Sequence, residues 1–149
     1  MEIKTPLRQL LRKKGTSVIT TDPGATVYDA IATMVDHNVG AIVVTNDGTL
    51  MGIFTERDYL RRIVLQGRTS KTTTVKEVMT ADVITAAPDT TVETALATMT
   101  QARCRHLPVI AEDRLAGLVS IGDCVKQLLK ATEAELDSLQ GYVTGRYPR

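Results

Sequence analysis

Apolar residues recur at helical spacing in two stretches of the chain, and both stretches follow the i, i+3, i+4, i+7 pattern of an amphipathic helix. These apolar positions are Val27, Ala30, Ile31, Met34 and Val35 in the first stretch, and Val92, Ala95, Leu96 and Met99 in the second. Threonines stand at the start of each stretch, with an acidic residue three positions further on. We therefore predict capping boxes formed by Thr26 with Asp29 and by Thr90 with Glu93.

Short runs of β-branched and apolar residues surround both predicted helices. One run precedes each helix, at residues 18–21 and 83–85, and two further runs follow it. The following runs are separated by Asn46-Asp47-Gly48 after the first helix and by Glu112-Asp113 after the second. Turn residues between two apolar runs predict a β-hairpin in both places.

A second helix is predicted after each hairpin. The first covers residues 58–66 and is ended by Gly67, and the second extends from Asp123 to the vicinity of Gly141. Both helices are apolar on more than one side, because Ile63, Val64 and Leu65 are consecutive and the last helix carries Val125, Leu128, Leu129, Leu136 and Leu139. We expect these faces to pack on a partner, with a homodimer as the first candidate.

The two patterns are copies of one another. Val18–Asp58 aligns without a gap onto Val83–Asp123 at an offset of 65, and 14 of the 41 aligned positions are identical. Chance alone would give about three identities at ordinary residue frequencies. The chain therefore contains a duplicated strand–helix–strand–strand–helix unit.

One unit of this size cannot bury both faces of its small sheet alone, so the two copies must pack together. We predict an α+β (or α/β) fold of two pseudo-symmetric β-α-β-β-α modules, packed sheet to sheet with the helices outside. A lead-in helix containing Leu7, Leu10 and Leu11 precedes them, and the polar segment 67–74 links them. The predicted domains are residues 5–70 and 75–131, followed by a C-terminal helix extension and tail at 132–149.

Composition excludes several classes of function. The chain of 149 residues is 43% hydrophobic and 23% charged, as expected of a globular protein, and its net charge of +1 provides no general attraction to nucleic acid or an anionic membrane. No apolar run approaches the roughly 18–20 residues of a membrane span, and no secretory signal is recognisable. Cys104 and Cys124 lack a metal-ligand spacing, so we expect free thiols, a reducing cytoplasmic compartment and no metal.

The repeated motifs identify a resemblance. The second copy contains Met79, Val83-Ile-Thr-x-x-Pro88-Asp-Thr-x-Val92, Arg105-His-Leu-Pro-Val109 and Leu115-x-Gly-Leu-Val-Ser-x-x-Asp123. Residues 5–130 resemble a tandem pair of cystathionine-β-synthase (CBS) domains, also called a Bateman module, of the kind found in small stand-alone bacterial proteins and a related plant organellar group. The resemblance implies binding of adenosine nucleotides (AMP, ADP, ATP, NAD(H) or S-adenosylmethionine) in two clefts between the modules.

The family's ribose motif, Gly-h-x-[Ser/Thr]-x-x-Asp, occurs in both copies, at Gly52–Asp58 and Gly117–Asp123. An ionised aspartate accepts hydrogen bonds from both ribose hydroxyls, and a helix N-terminus favours phosphate. The same Thr55-x-x-Asp58 and Ser120-x-x-Asp123 spacings are also those of helix capping boxes, and both roles can hold together.

The two copies differ where the family meets phosphate. Arg105 and His106 in the second copy correspond to Gly40 and Ala41 in the first, so the two clefts should differ; a solvated arginine and a structural histidine are the alternative. Cys104, which precedes Arg105, is expected to belong to the core and to border the cleft. The predicted nucleotide-binding residues are Thr20, Val39, Gly40, Ala41, Ile53, Thr55, Arg57, Asp58, Thr85, Cys104, Arg105, His106, Pro108, Leu118, Ser120 and Asp123.

These observations predict a non-catalytic regulatory sensor that binds AMP first, with NAD(H) or ATP as further candidates, and that has an unidentified regulated protein as a partner. A nucleotide-hydrolysing enzyme that uses Asp58 or Asp123 is one alternative, but no nucleophile–base set or catalytic cofactor motif accompanies them. The other alternative is a nucleic-acid-binding protein that uses residues 57–76, where six positive charges face one acid. A solvated face explains that segment equally well.

Overall fold

The computed structural model describes the backbone of residues 4–15 and 17–143, and the side chains of those residues up to 133. Two similar α+β units follow one another along the chain, as the duplication predicts. The elements are α1 (Leu7–Lys14), β1 (Thr20–Thr21), α2 (Val27–Asp36), β2 (Ala41–Asn46), β3 (Thr49–Thr55), α3 (Glu56–Tyr59) with a π-helical turn (Leu60–Val64), α4 (Val75–Val78), α5 (Val92–Ala102), β4 (His106–Ala111), β5 (Arg114–Ser120) and α6 (Ile121–Val143).

The sheets keep the register of the repeat. In the first copy β1 is parallel to β2, and β2 is antiparallel to β3 with Val44 opposite Gly52. In the second copy β4 is antiparallel to β5 with Val109 opposite Gly117. The strand predicted at residues 18–21 is shorter than expected, since only Thr20 and Thr21 pair. The strand predicted at residues 83–85 is wrong, because these residues form no strand and a single bridge joins the following Ala86 to Val109.

The hairpin turns confirm the prediction from turn residues. Asp47 and Gly48 have φ angles of 53° and 80°, and Glu112 and Asp113 have φ angles of 49° and 64°. Positive φ at both central residues is the geometry that matches the twist of a two-residue hairpin. The strands on either side of both turns are therefore fixed in register by local chemistry.

The helix caps agree with the prediction only in part. In the first copy the N-cap bond of the predicted capping box forms, but the reciprocal bond to the Asp29 carboxylate is not among the bonds of the described residues. The Thr26 hydroxyl accepts a hydrogen bond from the Asp29 N–H at 3.1 Å. In the second copy the predicted cap at Thr90 is wrong, because the capping hydroxyl belongs to Thr91, which accepts from the Thr94 N–H at 3.1 Å. The Thr90 hydroxyl instead accepts from the Ala87 N–H and closes the preceding turn. The repeat offset of 65 aligns Thr91 with Thr26, so the two N-caps occupy equivalent positions of the duplication.

The second helix of each copy differs from the prediction in extent. In the first copy helix begins at Glu56 and changes to a π-helical turn, in which the Leu65 N–H bonds the Leu60 carbonyl at 3.0 Å. α6 continues past Gly141 to Val143. Val64 and Leu65 are exposed, as are Val125 and Leu129, whereas Ile63 is buried and Leu128 packs on the core; the side chains of Leu136 and Leu139 lie outside the described residues.

The segment that precedes each copy packs into the core of the other copy. Leu7, Leu10 and Leu11 of α1 are buried in the second copy's core, and Val75 and Val78 of α4 are buried in the first copy's core. Backbone bonds repeat this exchange, since residue 7 bonds residue 90 and residue 75 bonds residue 25, each at 2.8 Å. The two copies are therefore held together by the lead-in segments as well as by the approach of β3 to β5.

Two glycines mark where these segments cross the sheets. A Cβ atom at Gly52 would lie 2.7 Å from both the Met79 sulfur and the Thr80 carbonyl oxygen, and one at Gly117 would lie 2.7 Å from a methyl of Leu11. A flexible side chain can move aside, but a backbone carbonyl cannot without a shift of the chain. Close approach of two backbones is a common reason for glycine in a strand.

We expect Gly52→Ala to lower the free energy of unfolding by about 1–3 kcal/mol, as overpacking does in a dense interior. Gly117→Ala is the matched variant, and its cost should be smaller because Leu11 can rotate. Urea unfolding of both variants measures the difference. Equal losses would contradict the distinction between backbone and side-chain contacts.

Candidate functional site

A cavity of about 280 Å³ lies between the two copies. The first copy contributes the loop before β1 and the entry to β2, and the second copy contributes the start of β4 and the end of β5. Its lining residues are Lys14, Ser17, Val18, Ile19, Asn38, Val39, Gly40, Ala41, His106, Leu118 and Ser120. Six of these residues were predicted from the sequence, and the duplication explains why residues so far apart in the chain share one wall.

The ribose motif of the second copy stands at the wall of this cavity. Ser120 ends β5, and Asp123 lies in the first turn of α6. The Asp123 carboxylate accepts a hydrogen bond from the Ser120 N–H at 2.9 Å, and the Ser120 hydroxyl accepts one from the Asp123 N–H at 3.1 Å. These two residues therefore form a reciprocal cap, and the Asp123 side chain still has 26% of its surface exposed.

Lys14 contacts this carboxylate and was not predicted. Its ammonium lies 2.5 Å from Oδ2 of Asp123 and donates to the Leu118 carbonyl at 2.8 Å. Burial alone would raise the pKa of Asp123, but hydrogen bonds from Lys14 and Ser120 outweigh it and hold that pKa below the ordinary value. Asp123 is therefore ionised at neutral pH. In this form it can accept hydrogen bonds from two hydroxyl groups at once.

The equivalent carboxylate in the first copy is closed off. Asp58 is only 8% exposed and accepts hydrogen bonds from the Thr55 N–H at 3.0 Å and the Thr55 hydroxyl at 3.2 Å. The Thr80 hydroxyl adds a contact of 3.2 Å to the other carboxylate oxygen, and Arg62 lies 3.9 Å away. The capping prediction is confirmed in both copies, but the two aspartates differ in their access to solvent.

Val39, Gly40 and Ala41 contribute uncharged side chains and backbone to the cavity lining. The space beside Gly40 that a Cβ would fill is occupied by Glu56, whose carboxylate oxygen would be 2.8 Å from it. The Glu56 N–H also bonds the Gly40 carbonyl at 3.1 Å. Gly40 therefore allows β2 and α3 to approach closely, and Val39 remains exposed next to the cavity.

His106 is half-buried at the start of β4 and lines the cavity. Desolvation lowers its pKa below the ordinary value of 6.5, and the positive charges of Lys14 and Arg105 act in the same direction. The negative charges of Asp123 and Glu56 oppose this shift without reversing it. The imidazole is therefore neutral at pH 7.

This pKa makes folding stability depend on pH. Because His106 binds its proton more weakly when folded than when unfolded, we expect the free energy of unfolding to fall as pH drops below about 6.5. Asp123 titrates at lower pH and does not contribute in this window. Urea unfolding at pH 7.5 and 5.5 should show a smaller difference for His106→Gln than for wild type. His37→Gln is the control, and the same reduction in that variant would speak against His106 as the cause.

The other predicted residues lie outside the cavity lining. Thr20, Thr85, Arg57 and Arg105 are exposed, and Ile53 and Pro108 are buried within strands. Cys104 is half-buried and Cys124 is buried, both as free thiols. Burial raises the pKa of Cys104 above its ordinary value and that of Cys124 to about 11, so neither is a thiolate at neutral pH.

Three positive residues of the basic segment 57–76 make contacts within the chain. Arg62 donates to the carbonyls of Val78 and Met79 at 3.0 and 2.8 Å and so caps the end of α4. Arg68 pairs with Glu77 at 2.8 Å, and the Lys71 ammonium lies 5.0 Å from the centre of the Tyr28 ring. Half of the six positive charges therefore stabilise the connection between the copies.

Among the described residues, no cluster of three or more His, Cys, Asp or Glu side chains could hold a metal ion. None of the described helices combines the length and apolar character needed to cross a membrane.

Comparisons with known proteins agree with the geometry. The family model described as CBS domain matches residues 7–65 and 75–130. The mitochondrial CBS domain-containing protein CBSX3 of Arabidopsis thaliana is 44% identical over 154 residues, which cover 96% of this chain and 74% of that protein. The CBS-domain containing protein ATU1752 of Agrobacterium tumefaciens is 40% identical with a TM-score of 0.78, over 83% of this chain and 98% of that chain.

A more distant structure shares the fold. The CBS domain pair of MJ0100, solved in complex with 5-methylthioadenosine and S-adenosyl-L-methionine, has a TM-score of 0.76 at 24% identity, over 87% of this chain and 99% of that chain. Two matches to the family model, one for each repeat, account for most of the sequence. The chain belongs to the CBS domain family and contains a tandem pair of these domains.

Proposed function

We propose that this protein is a non-catalytic regulatory sensor that binds an adenine nucleotide in the cavity between its two CBS domains. The observation that carries the proposal is the ionised Asp123 carboxylate at the N-terminus of α6, which contacts two residues of the cavity lining, Lys14 and Ser120. A carboxylate suits two ribose hydroxyls, and flat apolar surface near Val39 suits a base. MJ0100, which has the same fold, was solved with two adenosine derivatives.

AMP is the first candidate ligand because of the size of the cavity. Small-molecule sites typically enclose about 300–1,000 Å³, and this cavity of about 280 Å³ is at the lower limit. A mononucleotide fits such a space better than NAD(H), while ATP would extend its outer phosphates into solvent. The partial positive charge at the N-terminus of α6 favours the phosphate of AMP over the neutral nucleoside.

The second cleft is part of the proposal but should bind differently. Pseudo-two-fold symmetry would combine Arg105 with the first copy's motif, Thr55 and Asp58, and with Arg57. Binding there requires the Thr80 hydroxyl to leave Asp58. We therefore expect the cleft at Asp123 to fill first and the two affinities to be unequal.

Regulation implies partners and a compartment, which remain predictions. The exposed Val64, Leu65, Val125 and Leu129 support a homodimer, which light scattering should detect as twice the chain mass of 16.2 kDa. The regulated protein is unidentified. Free thiols at both cysteines support a reducing compartment, for which the cytoplasm is the first candidate.

The proposal is tested by thermal unfolding and native mass spectrometry with AMP, ATP, NADH and GMP. A ligand that binds the folded state raises Tm by mass action, and we expect AMP to give the largest shift at equal concentration. If the protein is incubated with ATP or NADH and no product forms, the result supports a sensor rather than a hydrolase. A shift with GMP but none with adenine nucleotides would refute the assignment, and turnover of ATP would refute the non-catalytic role.

A further inference from the structure

The Lys14 ammonium is held on the carboxylate that the proposed function assigns to ribose. It contacts Asp123 Oδ2 at 2.5 Å and the Leu118 carbonyl at 2.8 Å. Lys14 is the last residue of α1, and Leu7, Leu10 and Leu11 anchor that helix in the second copy's core. The helix is therefore anchored three residues before Lys14, whose long exposed side chain can change partner by rotation about its own bonds.

The segment that carries Lys14 is longer than its counterpart before the second copy. Leu11 contacts the space beside Gly117 as Met79 contacts the space beside Gly52, so these two residues are structurally equivalent. Six residues separate Leu11 from Val18, but only three separate Met79 from Val83. The longer segment carries Lys14 into the cleft at Asp123, whereas a Thr80 hydroxyl meets Asp58 on the other side.

The ion pair between Lys14 and Asp123 has opposite consequences for nucleosides and for phosphorylated nucleotides. Two ribose hydroxyls that donate to the two oxygens of Asp123 must compete with the ammonium at Oδ2, which also accepts from the Ser120 N–H. A neutral nucleoside would leave that ammonium without its anionic partner, which is unfavourable in a partly buried site. A phosphorylated ligand supplies a new anionic partner, because a lysine can pair with phosphate as a point charge.

We propose that Lys14 is a specificity-determining residue that makes this cleft select phosphorylated nucleotides over nucleosides, by blocking Asp123 until a phosphate draws the ammonium away. The inference rests on the proposed function. Among the cavity-lining residues of the described chain, Lys14 is the one with a permanent charge, so phosphate has no other ionic partner in the lining. Arg105 is exposed and does not line this cavity.

The test is calorimetry with AMP and with adenosine on wild type, Lys14→Met and Lys14→Arg. Methionine keeps the length of the side chain without the charge. We expect Lys14→Met to bind AMP about tenfold more weakly, the scale of one lost charge-assisted hydrogen bond, and to bind adenosine more tightly. Lys14→Arg should retain the preference for AMP. Lys13→Met, in the exposed neighbour, is the matched control and should bind both ligands as wild type does.

The outcomes separate the inference from the proposed function. If Lys14→Met changes both affinities by the same factor in the same direction, Lys14 has a structural role and the inference is wrong, while nucleotide binding stands. If neither ligand binds to any of the proteins, the proposed function fails and the inference fails with it. A variant that unfolds is recognised by its Tm, and Lys14→Arg then decides the question through its ratio of AMP to adenosine affinity.

Discussion

Asp123→Ala is expected to weaken AMP binding by about 100-fold. The ionised carboxylate can accept from both ribose hydroxyls, and each hydrogen bond to a charged group contributes about 1.5–3 kcal/mol. Some of that gain is offset in wild type because Lys14 must first release the carboxylate. Calorimetric titration with AMP measures the loss directly, and thermal unfolding without ligand measures the separate loss of the cap at Ser120.

The first copy provides a matched control for this prediction. Asp58 occupies the same motif position, but it is buried and bonded to Thr55 and Thr80. Asp58→Ala should therefore lower the free energy of unfolding by about 1–3 kcal/mol while affecting the tighter AMP site little. If Asp123→Ala instead costs about 1 kcal/mol of stability and leaves AMP affinity unchanged, the carboxylate is a helix cap only.

The duplication made much of the fold predictable. Hydrophobic periodicity located α2 and α5, and turn residues at Asp47-Gly48 and Glu112-Asp113 located both hairpins. These features depend on interactions between residues close together in the chain. The misplaced cap at Thr90 shows the limit of a short motif, because Thr90 has the acidic residue three positions further on but the helix is capped by Thr91, the equivalent of Thr26 in the repeat.

The exchange of lead-in segments was not predictable from local pattern. An apolar stripe on α1 shows that Leu7, Leu10 and Leu11 are buried, but not which core receives them. The choice depends on the pairing of residue 7 with residue 90, which are distant in sequence. The π-helical turn after α3 was not predicted either; it contains Arg62, which bonds the carbonyl at the end of α4.

The sequence predicted the part of the candidate site that lies in the repeated motifs, but not the part that depends on contacts between distant residues. Repeated motifs indicated Ser120 and Asp123, and the divergent position of the repeat indicated Gly40 and His106. Lys14 lies 109 positions from its partner and belongs to no motif of the repeat. The segment before Val18 is longer than the segment before Val83, but where this places Lys14 depends on how α1 docks.

Leu7→Ala is the sharpest test of that docking. Leu7 is fully buried in the second copy's core, and removal of such a side chain costs about 2–5 kcal/mol through lost burial and the cavity left behind. Ile63→Ala is the matched variant in the first copy's core, where Ile63 is 2% exposed. Urea unfolding should show a large loss for both variants.

Hydrogen exchange distinguishes the two variants by location. Because α1 packs on the second copy, Leu7→Ala should accelerate exchange in β4 and β5 more than in β2 and β3, and Ile63→Ala should do the reverse. If Leu7→Ala instead exposes β2 and β3 first, the lead-in helix stabilises the copy that follows it in sequence. That result would also contradict the placement of Lys14 beside Asp123, because this placement depends on α1 being held in the second copy's core by Leu7 and its neighbours.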